Sequence, residues 1–145
     1  MKRCFLMGHR DAPEALFRPL CAEITRHIEE YGVTEFWVGA YGRFDAMAER
    51  ALAQTKKLHP GVKLILLLPY YPPRKPVSPA FDASFHPPGM ETVPKRIAIP
   101  WANRYAVDHS EFFIAYAAWR AETSNTRKMV EYAQKQGRTR ITLLG

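Results

Sequence analysis

Along this chain, short unbroken apolar runs alternate with stretches in which apolar residues recur every third or fourth position. Runs of the first kind read as strands and stretches of the second as helices. Arg3 to Met7 is the first strand. Leu16, Leu20, Ile24 and Ile28 then repeat every fourth residue, with Phe17 and Cys21 beside them, as one helix face. Pro13 falls near the start, where a first turn tolerates it, and Gly32 ends the helix. Glu35 to Val38 is a second strand. A helix-like run from Ala46 to Leu58 follows, burying Phe44, Met47, Ala48, Ala51 and Leu52, and Pro60-Gly61 closes it. Val62 to Leu68 is the most apolar segment and is expected to be a central buried strand. Glu111 to Tyr116 is a fourth strand, Thr126 to Gln136 a helix stopped by Gly137, and Thr139 to Leu144 a last strand. This alternation predicts a single α/β domain over residues 1–145, with three layers and a mostly parallel sheet.

Residues 69–100 break the pattern. Ten of the twelve prolines fall between Pro60 and Pro100. Such a segment is expected to be neither a regular helix nor a central strand. It reads as a loop or lid after the carboxyl end of the Val62–Leu68 strand, or equally as a flexible insertion, with Val93 to Ile99 as a short strand inside it.

With 145 residues, 47% hydrophobic and 24% charged, the chain can bury one real core. The Val62–Leu68 run is far too short to span a bilayer, and His9-Arg10-Asp11 interrupts the first apolar stretch too early for a signal peptide. Two cysteines, Cys4 and Cys21, both on apolar faces, suit a reduced cytoplasmic protein with both thiols in the core. The net charge is +7, and residues 51–100 alone hold seven Lys or Arg against Asp82 and Glu91. That middle excess fits an anionic ligand, a nucleic acid, or simply solubility. Weak, nonspecific binding to single strands is expected, with Tyr70, Tyr71, Phe81 and Phe85 as available stacking rings.

Two glycine turns carry the candidate chemistry. Gly39-Ala40-Tyr41-Gly42-Arg43-Phe44-Asp45 joins a strand to a helix, a geometry suited to phosphate. Gly8-His9-Arg10 ends the first strand in the same way. Two such turns on one edge of a parallel sheet share the crevice where open α/β proteins bind ligands. Glycine at 42 is expected to let backbone approach the ligand. Asp45 either complements the helix dipole or accepts a ribose or base hydrogen bond. Asn103 and Arg104 are expected on a short helix, with Arg104 able to grip a phosphate as a planar fork. Trp101 and Tyr105 are either base-stacking or core residues. His86 and His109 have no partner at metal spacing, and no metal or cofactor is called for.

Taken in order, these blocks resemble the YpsA-like members of the SLOG superfamily, the Rossmann-like group that includes the Lonely-guy phosphoribohydrolases and the DNA-processing protein DprA. The residues are Gly8-His9-Arg10; Gly39-Ala40-Tyr41-Gly42-Arg43-Phe44-Asp45 with Ala48, carrying Arg43 as an extra residue; Pro60 to Pro69; and Asn103 to Ser110 followed by Phe113-Ile114-Ala115. The resemblance implies a Rossmann-like fold and a nucleotide-like ligand at the strand ends. The residues it implicates are Gly8, His9, Arg10, Gly39, Ala40, Gly42, Phe44, Asp45, Asn103, Arg104 and Thr126. The chain departs from the family at its anion-binding Gly-Gly-Thr turn, where Thr123-Ser124-Asn125-Thr126 stands. Ala102 and Ala106 replace the family's arginine and methionine. Arg127 and Lys128 follow Thr126 where the phosphoribohydrolases place a catalytic glutamate soon after their turn. Binding without catalysis is therefore the leading expectation. Hydrolysis of the N-glycosidic bond of a nucleoside monophosphate and DprA-like single-strand binding are the alternatives. No membrane partner is expected, and a homo-oligomer stays open.

Overall fold

Alternate residues of each strand face opposite layers, and the sequence loads both sides with large apolar groups. The computed structural model describes residues 1–117 and 124–145. Its strands are β1 (Lys2–Gly8), β2 (Val33–Val38), β3 (Lys63–Leu67), β4 (Ala83–Phe85), β5 (Phe112–Tyr116) and β6 (Arg140–Leu143). Its helices are α1 (Phe17–Glu29), α2 (Arg43–Leu58), α3 (Lys95–Asp108) and α4 (Asn125–Gln136). Cys4, Leu6, Phe36, Val38, Leu64 and Ile114 point to one layer, where Leu20 and Ile24 of α1 and Met47, Ala48, Ala51 and Leu52 of α2 cover them. Phe5, Trp37, Leu67, Phe113 and Ala115 point to the other, under α3 and α4. This is the period of two expected of strands buried on both faces.

The six strands form one sheet in the order β4-β3-β2-β1-β5-β6, with every pair parallel. The fold is a three-layer, Rossmann-like α/β domain. The chain winds from β1 outward to β4, then crosses back to lay β5 on the other side of β1. The β1–β5 boundary is thus the topological switch point, where such sheets open a crevice at the carboxyl ends of their strands.

Several elements differ from the sequence expectation. The Val62–Leu68 strand is interior but not central: β3 lies one place from the edge, and β2 and β1 hold the middle. Its edge neighbour is β4, three residues of the proline-rich segment. The Asp82 carboxylate just before β4 accepts the Leu64 N–H at 2.8 Å and pairs with Lys56, so the segment is stitched to the sheet. Val93 to Ile99 is not a strand. Pro94 caps α3, and residues 95–99 are its first turns. That helix runs on through Pro100, contrary to the reading of 69–100 as free of regular helix. Pro100 has no N–H to give the Arg96 carbonyl, a loss the helix absorbs by burying Ala98, Ala102 and Ala106 on one stripe. Those small side chains let α3 lie close over Trp37 and Phe113. At α2 the helix begins at Arg43, so Phe44 and Asp45 belong to its first turn. Cys4 is fully buried, and burial pushes its thiol far up, while Cys21 is only half-buried at the core's edge.

His27 is a buried group that periodicity alone does not flag. It occupies a core position of α1, fully enclosed, with Nδ1 2.7 Å from the Glu23 carbonyl and its ring edge-on to Tyr31 and Phe112. Burial lowers its pKa, so the folded ring stays neutral where the unfolded one takes a proton. Stability carried by this residue is present above pH 6.5 and is lost as the pH falls below it. In denaturant titrations at pH 7.5 and pH 5, His27→Leu is expected to lose less stability on acidification than the wild type. An equal loss in the two proteins would remove His27 as a cause.

Candidate functional site

A cavity of about 970 Å³ opens at the carboxyl ends of the strands, over the switch point. Gly8, His9 and Arg10 come from the end of β1, Gly39 and Tyr41 from the end of β2, and Pro69 from the turn after β3. Helix α3 supplies Arg96, Pro100, Asn103 and Arg104, and the start of α4 supplies Ser124, Asn125, Thr126 and Lys128. Residues distant in sequence meet here because every strand ends on the same edge.

Of the residues named from sequence, Gly8, His9, Arg10, Gly39, Asp45, Asn103, Arg104 and Thr126 all line this cavity. Ala40, Gly42 and Phe44 do not. Phe44 is fully buried, its ring pressed against Gly8 from inside the core. Gly42 is glycine for a contact within the protein: its φ is +99°, and a Cβ there would stand 2.7 Å from the Arg10 Cα. The Arg43 N–H also donates to the Arg10 carbonyl at 2.8 Å, so the two glycine turns are bolted to each other. The space that glycine leaves at 42, expected to admit a ligand, is occupied by Arg10. Thr123, named with the α4 turn, lies outside the described residues.

Asp45 is the most perturbed group on the wall. Only 8% of it is exposed, and its Oδ2 accepts the Tyr41 N–H at 2.8 Å. Burial raises its pKa to about 7, against a smaller opposing effect of that hydrogen bond. Near neutrality this carboxyl is poised between acid and base. His9 reaches the same cavity with its backbone tied to the Tyr116 carbonyl at 3.2 Å, and its Nε2 is buried without a hydrogen-bond partner among the described residues.

Four cations, Arg10, Arg96, Arg104 and Lys128, line the cavity, and none is in an ion pair among the described residues. Elsewhere Arg3, Arg50 and Lys56 are paired with carboxylates. Among the described residues, the acids on the wall are Asp11 and Asp45, whose burial raises its pKa to about 7. Arg104 rests over the Tyr132 ring at 5.2 Å, which holds its fork in place. Helix α4 also starts on the wall. The Ser124 hydroxyl caps it by accepting the Arg127 N–H at 3.1 Å, and the helix's positive end faces this region. The arrangement concentrates positive potential in a sheltered crevice and suits an anionic ligand. Sequence reasoning missed Tyr41, Arg96, Lys128 and Tyr132. Arg96 was hidden in the proline-rich segment, Tyr41 lay inside a turn read for its glycines, and Lys128 and Tyr132 carry no local motif.

Of the other aromatic candidates, Tyr105, Phe81 and Phe85 are engaged in packing. Tyr105 stacks on Trp37 and on His109, and Trp101 is half-exposed away from the cavity. Phe85 packs on Trp37 at 4.7 Å and Phe81 packs on the core, so neither ring is open to a base. Lys63 starts β3, at the opposite sheet edge from Arg96, so the basic middle of the sequence is not one surface. Among the described residues, no three His, Cys, Asp or Glu side chains gather to hold a metal, and no helix is long and apolar enough to cross a membrane. No family model matches this chain, and no curated protein is significantly similar to it.

Proposed function

We propose that the cavity binds the phosphate of a nucleotide or nucleotide-derived ligand without turning it over, and that the chain is a YpsA-like member of the SLOG superfamily. The observation that carries the binding reading is the set of four cations on one wall at the switch point, none of them ion-paired among the described residues. Arg10 and Arg104 would grip phosphate oxygens as forks, Arg96 and Lys128 would add charge, and the α4 start would contribute its dipole. Asn103 and Thr126 add neutral polar groups to the same wall. The test is melting temperature across a panel of nucleotides. At least one is expected to stabilise the wild type, since a ligand that binds only the folded state raises stability with its concentration. Arg104→Ala removes an exposed side chain and is expected to keep the fold while cutting that shift. A shift unchanged in Arg104→Ala would sink the assignment.

One observation favours a second reading. A buried carboxyl with a pKa near neutrality on a cavity wall is the usual form of a general acid or base. In that reading Asp45 activates water for hydrolysis of an N-glycosidic bond. Incubation with adenosine or cytidine monophosphate separates the two. No free base is expected; base release that disappears in Asp45→Asn would replace binding with catalysis.

A further inference from the structure

A second cavity, of about 420 Å³, opens beside the first and shares Pro69 with it. The proline-rich segment and the start of α3 build it. Tyr71 lines it and remains 73% exposed, its ring 6.0 Å from that of His86 and tilted by 33°. A tyrosine ring left this open is a ready stacking face for a planar ligand. The His86 Nδ1 lies 2.8 Å from the Leu68 carbonyl. A carbonyl only accepts, so Nδ1 carries a proton, and Nε2 is the ring nitrogen left to accept. Glu91 adds a carboxylate, a second acceptor, to the same lining, which also holds Lys95 and Arg74, the latter over the Tyr70 ring at 4.9 Å. An open aromatic face and two acceptors in one cavity match a planar ring that bears an amine.

The two cavities adjoin at Pro69, which lines both. Tyr41 stands on the wall of the first, and Tyr70 and Arg74 stand on the wall of the second. One ligand with an anionic end and an aromatic end can therefore occupy both.

We infer that the second cavity is the base subsite of the ligand whose phosphate sits in the first, and that it selects a nucleobase with an exocyclic amine. This rests on the phosphate reading above. Calorimetric titration separates the two claims. Ribose 5-phosphate probes the basic cavity alone, adenosine and cytidine monophosphates add an amine-bearing base, and inosine and uridine monophosphates add a base without that amine. The wild type is expected to bind adenosine monophosphate roughly tenfold or more tighter than ribose 5-phosphate, the scale of one base–aromatic stack. It should also prefer adenosine over inosine monophosphate and cytidine over uridine monophosphate. Tyr71→Ala, at an exposed position, should bring adenosine monophosphate down towards ribose 5-phosphate and leave ribose 5-phosphate itself unchanged. Ribose 5-phosphate binding as tightly as the nucleotides, equal affinity for amine-bearing and amine-free bases, or equal weakening of both probes by Tyr71→Ala would overturn the base subsite and leave the phosphate reading standing. Failure of ribose 5-phosphate and every nucleotide to bind would overturn both.

Discussion

Asp45→Asn is expected to stabilise the folded chain at pH 8, by an amount on the order of 4 kcal/mol, or roughly 10 °C in melting temperature. The carboxyl is buried, and its pKa rises from 3.8 to about 7 on folding. Below pH 3.8 it is protonated in both states and costs nothing in ionisation. As the pH rises from there to about 7, the unfolded chain gives up the proton and the folded chain holds it, so stability falls; above about 7 the loss is complete. Asparagine keeps an oxygen for the Tyr41 N–H and has no charge to bury. The two proteins should be nearly equal at pH 3.5 and diverge up to pH 8 in denaturant titrations. The trend is opposite in sign to that of His27, so each is read as a difference between variant and wild type. A flat difference across pH would mean that Asp45 ionises freely in the fold. An acid kept where an amide would be more stable fits a site at which the carboxylate itself is used.

Gly8→Ala should cost about 3 kcal/mol or more, the upper range for overpacking a core. A Cβ at that position would stand within 2.8 Å of three carbons of the Phe44 ring, and that ring is fully buried between α2 and the sheet. The ring has nowhere to go. Phe44→Leu alone is also destabilising, because it opens a void in the core. In the Gly8→Ala background the smaller side chain makes room, and the second substitution should restore part of the stability. This sign reversal in a double-mutant cycle separates a clash from a general weakness of the turn. Two costs that simply add would show that Gly8 and Phe44 do not share the strain.

The strands and helices were legible wherever burial imposed a period. Leu16-Leu20-Ile24 marks α1, and the doubly covered strands read as continuous apolar runs because both of their faces are buried. Strand β4 was not legible, since Ala83-Ser84-Phe85 sits at the edge and carries only one large apolar side chain. The start of α3 was masked by Pro94 and Pro100, although the first is at a cap and the second is tolerated inside. Its signal was present as Ala98-Ala102-Ala106, a stripe of small residues that apolar-run reading overlooks. Within the site, the residues next to Gly8 and Gly39 were found because a turn must place them at the strand ends. Gly42 and Phe44 sit against Arg10 and Gly8, which the sequence does not reveal, because a glycine that receives a neighbouring backbone and one that receives a ligand look alike in it. Arg96 and Lys128 became visible only when α3 and α4 were docked over the same strand ends.

The central claim is that the crevice recognises phosphate. Calorimetric titration of the wild type with a matched nucleoside and its 5′-monophosphate, at low and at high salt, tests it most directly. The monophosphate is expected to bind, the nucleoside at least about tenfold more weakly, and salt should close much of the gap by screening the four cations. Equal binding of nucleoside and monophosphate, or binding of neither, would contradict it.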